Sequence, residues 1–318
     1  MKKKRKISNA PKILFFVTGI GYGDSTRVHT LIKELEKKYP KAKFLIACYD
    51  NSYAYFKDKY PTIVIRGYKL SGKNLAFNLP SFIFQNIFLP SHWTLGALEV
   101  NLKSRKFIPD LIVSDFEPTA ISLATMLRKK CITLFGFDPR LYAEYKKENK
   151  TSLKEKVQSI YYNNIYKQAS LTVIPTFLKR RSQHLEHTYI NPIIRVLPED
   201  LADQKTLMKQ LDLKTKPVLL MLGGSNFGLK LVNYLKSFNK EDFIIFGGKQ
   251  NITNLPKNIT HIRYSHDFLK YLKVCKGIIT LGGQKTLSEA LIYKKPILCY
   301  PIKDHIEQQL NAFALKDL

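Results

Sequence analysis

The chain has 318 residues, 45% of them hydrophobic, and carries 52 Lys and Arg against 25 Asp and Glu, a formal net charge of +27. That length suggests two domains of ~150 residues each, and 18 Tyr with 19 Phe supply ample core material. Four cysteines stand singly at positions 48, 131, 275 and 299, a usage that excludes a disulfide framework or a paired metal-ligand spacing and points to a reduced, cytoplasmic protein.

The basic start "MKKKRKISNAPK" is followed by an apolar run, Ile13–Thr18, too short for the hydrophobic region of a secretory signal and better read as a first strand. From there, apolar runs of strand length alternate with helix-period segments. "KILFFVT" (12–18) leads into "STRVHTLIKELEKKY" (25–39), and "KFLIACY" (43–49) into "NSYAYFKDKY". "TIVIRG" (62–67) follows. "PDLIVSD" (109–115) leads into "EPTAISLATMLRKK" and then "CITLFGF" (131–137). "KEKVQSIYYNNIYKQA" (154–169) has helical period and precedes "LTVIP". The runs are nearly continuous in hydrophobicity, as parallel strands covered on both faces must be.

The longest uncharged stretch, Asn74–Leu98, is broken by Pro80 and Pro90 and studded with Asn, Gln and Ser. It fails as a membrane span, which needs ~20 predominantly apolar residues. A polar segment, 198–217, with prolines at both ends reads as a linker with one short helix. The alternation then restarts with "VLLMLGGSNFG", "FIIFGG", "ITHIRY", "GIITLGG" and "PILCYP". The fold class is therefore α/β, with two doubly wound Rossmann-like domains facing a cleft: residues 1–195 and 196–318.

Three turns have the strand–glycine–helix form that lets backbone N–H groups approach a phosphate: "VTGIGYGDSTR" (17–27), "MLGGSNFG" (221–228) and "TLGGQKTLSE" (280–289). Tight turns also take glycine for steric reasons alone. If the strands Val218–Leu222 and Gly277–Leu281 are neighbours, two of these turns face one diphosphate. "GIGYGD" superficially fits a dinucleotide fingerprint, with Asp50 where a ribose-binding acid would sit, but Thr26 occupies the third glycine position, so an oxidoreductase reading is the weaker one.

The stretch "GGQKTLSEALIYKKPILCYPIKDHIEQQLNA" decides between these readings. It resembles the C-terminal nucleotide-sugar domain of GT-B glycosyltransferases, nearest the family 28 group: the peptidoglycan N-acetylglucosaminyltransferase, the diacylglycerol glycosyltransferases and related archaeal proteins. Those share a glycine or serine turn, a helix with T-x-x-E, a G/K-K-P before a strand, then a proline and E/D-Q-x-x-N-A. The likeness is specific at 280–312, moderate at 221–226 and weak between 40 and 200.

The resemblance implies transfer of a sugar from a nucleotide-diphosphate donor, by family weight a UDP-sugar, to an acceptor hydroxyl, with inversion, without metal and without a further cofactor. It implies that Glu289 accepts hydrogen bonds from the ribose hydroxyls. Gly223, Gly224, Ser225, Gly282, Gly283 and Thr286 would face the diphosphate, and Glu307 and Gln308, anchored by Asn311–Ala312, the donor sugar. Lys285 would neutralise the diphosphate or stand solvated, and the base would meet the backbone near Tyr264–Phe268. Bland readings remain beside these: an exposed helix acid for Glu289, a polar helix cap for Glu307–Gln308.

Two departures matter. Where the family loop commonly offers a histidine base, this chain has Asp24. Asp24 is then the base or simply the N-cap of a helix starting at Ser25; His29, Asp115 and Glu117 are the alternatives. The sequence also stops at Leu318, before the strand and helices that usually pack back on the first domain. Either the chain is naturally short, a protein partner or homo-oligomer completes the second domain, or the protein is inactive.

For the acceptor, Phe77, Phe82, Phe84, Phe88 and Trp93 share one proline-broken segment. Exposed, it would dip into a bilayer helped by the basic charge at ~1 kcal/mol per charge near the surface; buried, it is ordinary packing. The net charge itself fits composition alone or attraction to an anionic membrane, with nucleic acid the weaker fit. The sequence thus predicts a cytoplasmic enzyme, peripheral on the inner membrane face if the acceptor is lipid-linked. An epimerase of the same fold and a non-catalytic membrane- or nucleic-acid-associated subunit are the competing readings.

Overall fold

The computed structural model describes residues 10–69, 72–73, 76–178, 187–223, 229–248 and 251–318. Gly224, Ser225 and the basic run through residue 9 lie outside the described residues. Two parallel sheets dominate. The first contains β1 (Lys12–Val17), β2 (Lys43–Cys48), β3 (Thr62–Val64), β4 (Leu111–Asp115), β5 (Cys131–Leu134), β6 (Leu171–Pro175) and β7 (His187–Ile190) in the order β3-β2-β1-β4-β5-β6-β7. The second contains β8 (Val218–Gly223), β9 (Phe243–Gly247), β10 (Ile259–Ile262), β11 (Gly277–Thr280) and β12 (Ile297–Cys299) in the order β10-β9-β8-β11-β12. In both, the order reverses beside the first strand of the set. In an open α/β sheet that reversal is where ligands bind, outside the carboxyl ends of the strands. β8 and β11 are indeed neighbours, pairing Val218 with Gly277 through Met221 with Thr280.

The continuous apolar runs follow from double coverage. Along β1, Ile13, Phe15 and Val17 pack on one face with Val28 and Ile32 of helix α1 (Tyr22–Lys38). Leu14 and Phe16 pack on the other with Ile112, Ala120 and Phe135. A strand buried on both sides has no polar face to show, so its sequence does not alternate.

Five further helices position the site: α2 (Leu79–Gln85), α3 (Leu89–Lys103), α4 (Leu153–Tyr166), α5 (Gln284–Ile292) and α6 (Ile306–Ala314). The helix α6 packs back on the first domain. The fully buried Ile306 and Leu310 of α6, with Ala314, join the core of the first sheet beside Leu14, Phe16 and Phe135. The polar segment 198–217 holds one short helix, Gln204–Gln210, capped by Asp203, whose Oδ1 accepts from Thr206 N at 3.0 Å.

Candidate active site

A cavity of about 240 Å³ lies where the carboxyl ends of both sheets face each other. Its walls come from the turn after β1, the ends of β8 and β9, the loop after β10, the turn after β11 and the segment entering α6. The helices α1 and α5 meet across it: a Cβ on Gly23 would lie 3.8 Å from Lys285 Cβ. Arg27 Nη1 donates to Gln284 Oε1 at 3.5 Å.

On the first-domain side, α1 starts at Tyr22 with Gly21 as its N-cap. Asp24 therefore sits inside the first turn, where a negative charge meets the helix dipole, and does not cap a helix starting at Ser25. Arg27, one turn on, is buried. Its Nη2 donates to Asp24 Oδ1 and to Asp115 Oδ1, both at 2.5 Å, and its Nε donates to Asp115 Oδ2 at 2.8 Å. One guanidinium thus holds two carboxylates, the second at the end of β4. Burial pushes the Asp24 carboxyl up to about 7, with Arg27 opposing the rise and the Asp115 charge adding to it. Asp24 stays 24% exposed and lines the cavity.

On the second-domain side, the turn after β11 is made by Gly282 at φ +89. A Cβ there would fall 3.0 Å from Gln308 O and 3.3 Å from Cys299 Sγ, so only glycine fits both the backbone and the space. Gly283 then serves as N-cap of α5. At the facing strand end, Gly223 and Gly247 also take positive φ, and a Cβ on Gly247 would lie 2.3 Å from Gly223 O. Thr286, Lys285 and Glu289 project from α5 into the cavity wall.

Glu289 is 1% exposed and held by two cations. Arg195 grips it in a fork, Nε to Oε1 at 2.8 Å and Nη2 to Oε2 at 2.9 Å, and Lys285 Nζ lies 3.4 Å from Oε1. Arg195 itself stacks over Phe268 at 5.5 Å. Although burial opposes ionisation, these two cations hold the Glu289 carboxyl below its ordinary range. The cost of desolvation also lowers Lys285, to about 8, which favours its neutral form. A carboxylate has about four lone-pair sites, so the Arg195 fork leaves acceptor capacity for further donors.

Glu307 and Gln308 reach the same cavity from the first turn of α6. Burial raises the Glu307 carboxyl to about 8, helped by the Asp24 charge and opposed by Arg27. Gln308 Oε1 accepts from Ile302 N at 3.0 Å. Asn311 Nδ2 donates to Gly136 O and Gly282 O, each at 3.1 Å, tying α6 to both domains.

Of the residues singled out by sequence, Asp24, Gly223, Gly283, Thr286, Glu289, Glu307 and Gln308 line this one cavity, together with Arg263–Ser265 and Phe268 of the loop expected near the base. Gly282 shapes the turn from beneath. His29 is not among the lining residues: its Nδ1 pairs with Tyr55 Oη at 2.8 Å inside a cluster with Phe56 and Tyr60, and burial lowers its pKa. Glu117 is fully buried behind β4, with Oε1 accepting from Thr119 Oγ1 at 2.6 Å and Oε2 unpartnered among the described residues. Sequence reading missed Arg195, Gln284 and His305. Arg195 falls in the irregular stretch after β7, without periodicity, so nothing local signals it. His305 stands two residues before Glu307, and that placement was the available clue.

His305 also lines a second cavity, of about 340 Å³, walled by Phe77, Phe82, Trp93, Phe116, Tyr161 and Tyr162 among others. The aromatic segment therefore divides: Phe77, Phe82 and Trp93 turn inward, while Phe84 (81% exposed), Phe88, Ile83 and Ile87 face out. Two of its lining residues carry a polar atom, Trp93 Nε1 and His305 Nδ1, that is sealed from solvent and makes no side-chain hydrogen bond among the described residues. Such atoms cost about 1–3 kcal/mol each. Burial lowers the His305 pKa to about 4, so its ring is neutral at pH 7.

The comparisons agree with this architecture. An uncharacterized glycosyltransferase of Methanosarcina acetivorans is 24% identical over 96% of this chain and 83% of its own length, and one of Methanosarcina mazei is 23% identical over the same shares. Among solved structures, a UDP-glucosyltransferase from Polygonum tinctorium in complex with 3,4-dichloroaniline superposes with a TM-score of 0.63 at 14% identity, covering 97% of this chain and 83% of that one. The calicheamicin glycosyltransferase gives 0.61 at 15% identity, covering 98% and 84%. The two-domain GT-B architecture is shared with both. The family model described as glycosyl transferase family 1 matches residues 11–318, and on a match of that extent this chain belongs to glycosyl transferase family 1.

Proposed function

We propose that this glycosyltransferase moves a sugar from a nucleotide-diphosphate donor, by family weight UDP-linked, to an acceptor hydroxyl with inversion. One observation carries the reading: residues from two domains, predicted separately as donor-binding and catalytic, line a single cavity at the facing strand ends. The nucleoside sits against the loop Arg263–Phe268, where Tyr22 and Tyr264 rings stand 4.7 Å apart. The ribose hydroxyls donate to Glu289. The diphosphate lies over the turns at Gly223 and Gly283, near Thr286 and Lys285; Gly224 and Ser225, assigned to it by the resemblance, lie outside the described residues. The sugar hydroxyls meet Glu307 and Gln308.

In the reaction the bond from the anomeric carbon to the diphosphate oxygen breaks and its electron pair leaves with the diphosphate. The acceptor oxygen forms the new bond from the opposite face. Its proton passes to Asp24. A base works best with a pKa near the operating pH, and a value of about 7 suits that role. Backbone N–H groups of the glycine turns, the N-terminus of α5 and the cations Lys285 and Arg263 supply the stabilisation that a growing diphosphate charge needs, which is the ground for proposing a metal-independent transfer.

We also propose a lipid or lipid-linked acceptor. The outward Ile83, Phe84, Ile87 and Phe88 form an exposed apolar face on a chain of net charge +27, a combination that suits an anionic bilayer. No helix among the described residues is long and apolar enough to cross a membrane.

The test is thermal stability with UDP, GDP, TDP and ADP. A ligand bound only by the folded state adds ~2.7 kcal/mol at 100 times its dissociation constant. A shift with one nucleotide, lost in both Glu289→Gln and Thr286→Val, is the expected result. A folded wild-type protein indifferent to all four would sink the donor assignment.

A further inference from the structure

We propose that Arg27 and Asp115 are a positioning pair for the transfer: Arg27 fixes Asp24 through one oxygen and leaves the other to the acceptor, while Asp115 offsets the Arg27 charge so that Asp24 keeps its strength as a base. The inference rests on the proposed transferase reading and deepens it, giving a role to two buried residues that the reaction as drawn does not use.

Asp24 and Arg27 stand three residues apart on α1, so both project from one face of the helix. Asp115 ends β4, in register with Val17 at the end of β1, the strand that runs into α1. Arg27 Nε and Nη2 fork onto the two Asp115 oxygens at 2.8 and 2.5 Å, which fixes the guanidinium plane on a strand end. The second Nη2 hydrogen then reaches Asp24 Oδ1, also at 2.5 Å. No other residue donates to Asp24 Oδ2 among the described residues, and the part-exposed side chain lines the cavity. Oδ2 is therefore the oxygen that the acceptor hydroxyl meets. The Nη1 end of Arg27 backs onto Gln284 Oε1 at 3.5 Å, and Gln284 Nε2 itself donates to Pro175 O at 3.1 Å and to Ser288 Oγ at 3.0 Å. Both domains thus frame the guanidinium.

A lone Arg27–Asp24 pair would make a poor base. An adjacent guanidinium lowers a carboxyl pKa by about 1–3, and a base serves best near the operating pH. Asp115 counters this. It is fully buried and takes two of the guanidinium's hydrogen bonds against one for Asp24, so the Arg27 charge is largely answered before Asp24 meets it. Accordingly, Arg27 opposes and Asp115 adds to the rise that burial gives the Asp24 carboxyl. The other charged groups around the cluster are Glu307 on α6, which Asp24 repels, and Lys285 on α5, which acts on Asp115. A lysine at position 27 would supply charge without the planar fork that holds both acids.

The experiment follows Asp24 itself. Full-length protein with carbon-13 in the aspartate side-chain carboxyls is titrated by NMR from about pH 4 to about pH 9, and the Asp24 signal is assigned by its loss in Asp24→Asn. Arg27→Gln should raise the Asp24 midpoint and Asp115→Asn should lower it, each by about 1 pH unit or more. The opposite signs are the point: a site merely loosened by substitution admits water, which relieves burial and lowers Asp24 in both variants. Midpoints that stay put, or that move the same way, overturn the proposal. If Arg27→Gln fails to fold, the double variant Arg27→Met with Asp115→Leu removes the pair together and leaves neither partner's charge stranded. Its midpoint should lie within about 1 pH unit of wild type, and a fall as large as that in Asp115→Asn overturns the offsetting of charge. The titration needs no substrate, so it separates the two readings. Stationary midpoints beside a nucleotide-induced rise in melting temperature remove this inference alone. Opposite midpoints with no response to UDP, GDP, TDP or ADP remove the transferase assignment instead.

Discussion

Around the donor-side cavity, buried carboxylates face guanidinium groups: Glu289 is held by Arg195 and Asp115 by Arg27. Among the residues lining the apolar cavity beside it, Trp93 Nε1 and His305 Nδ1 are sealed from solvent and make no side-chain hydrogen bond among the described residues. The difference is one of cost. An unpaired charge in the interior costs several kcal/mol even after relaxation, more than a fold of ordinary stability can leave for a ligand to repay. A neutral polar atom costs about 1–3 kcal/mol, which the fold can carry. Charges at this site are therefore organised before any ligand arrives, while a neutral group can go unpaired.

The largest expected effect breaks a pair on the charged side. Arg195→Leu leaves Glu289 buried with Lys285 as its remaining cation, and we expect a loss of about 3–5 kcal/mol in urea unfolding at pH 7. Arg27→Met, which strands Asp24 and Asp115 together, belongs to the same class. Losses under 1 kcal/mol for both would mean the pairs are solvated and the contrast false. Next comes a pH effect. Glu307, Asp24 and Glu117 have pKa values raised by burial to about 8, 7 and 7 from ordinary values near 4. Each binds its proton more tightly folded than unfolded, so its contribution is complete below the unfolded pKa and is lost as pH rises through the folded one. The melting temperature should fall from about pH 4 to about pH 8 and level off above it, and Glu307→Gln should flatten that fall. Parallel curves for wild type and variant would argue against a protonated Glu307.

On the apolar side the sign reverses. His305→Leu removes a sealed polar atom, so stability should hold or rise by about 1 kcal/mol in the same urea assay. A clear loss would reveal a partner for the imidazole. The smallest effect belongs to the outer face: Phe84→Ser with Phe88→Ser should change stability within about 0.5 kcal/mol per site yet reduce sedimentation with anionic vesicles. Unchanged vesicle binding would detach this face from any membrane role.

Legibility in the sequence followed the same division between local and distant causes. The strands and their helices were readable because double coverage writes itself as unbroken apolar runs such as "KILFFVT". The glycine turn at 282–283 was readable because a positive φ beneath a crowded backbone admits little else. The start of α1 was misread because Ser25 and Asp24 are strong capping types, whereas Gly21, with no side chain to signal it, takes the cap. The meeting of Arg195 with Glu289 spans 94 positions and follows no period, so no window along the chain contains it. The return of α6 was hidden for the same reason: its apolar stripe is plain in "IEQQLNAFA", but the surface it covers belongs to strands far back in the chain, β1 at its very start among them.

That last helix has a consequence for biosynthesis. Ile306 and Leu310 complete the core that Leu14, Phe16 and Phe135 begin. A ribosome adding ~5–20 residues per second needs on the order of ten seconds or more to go from Phe135 to Leu310. During that interval the part of the first-sheet core that α6 completes stays uncovered while the second domain is still being made. The order of folding is then the reverse of the order of synthesis for part of the molecule, and the emerging chain is an expected client for chaperones that bind apolar strands.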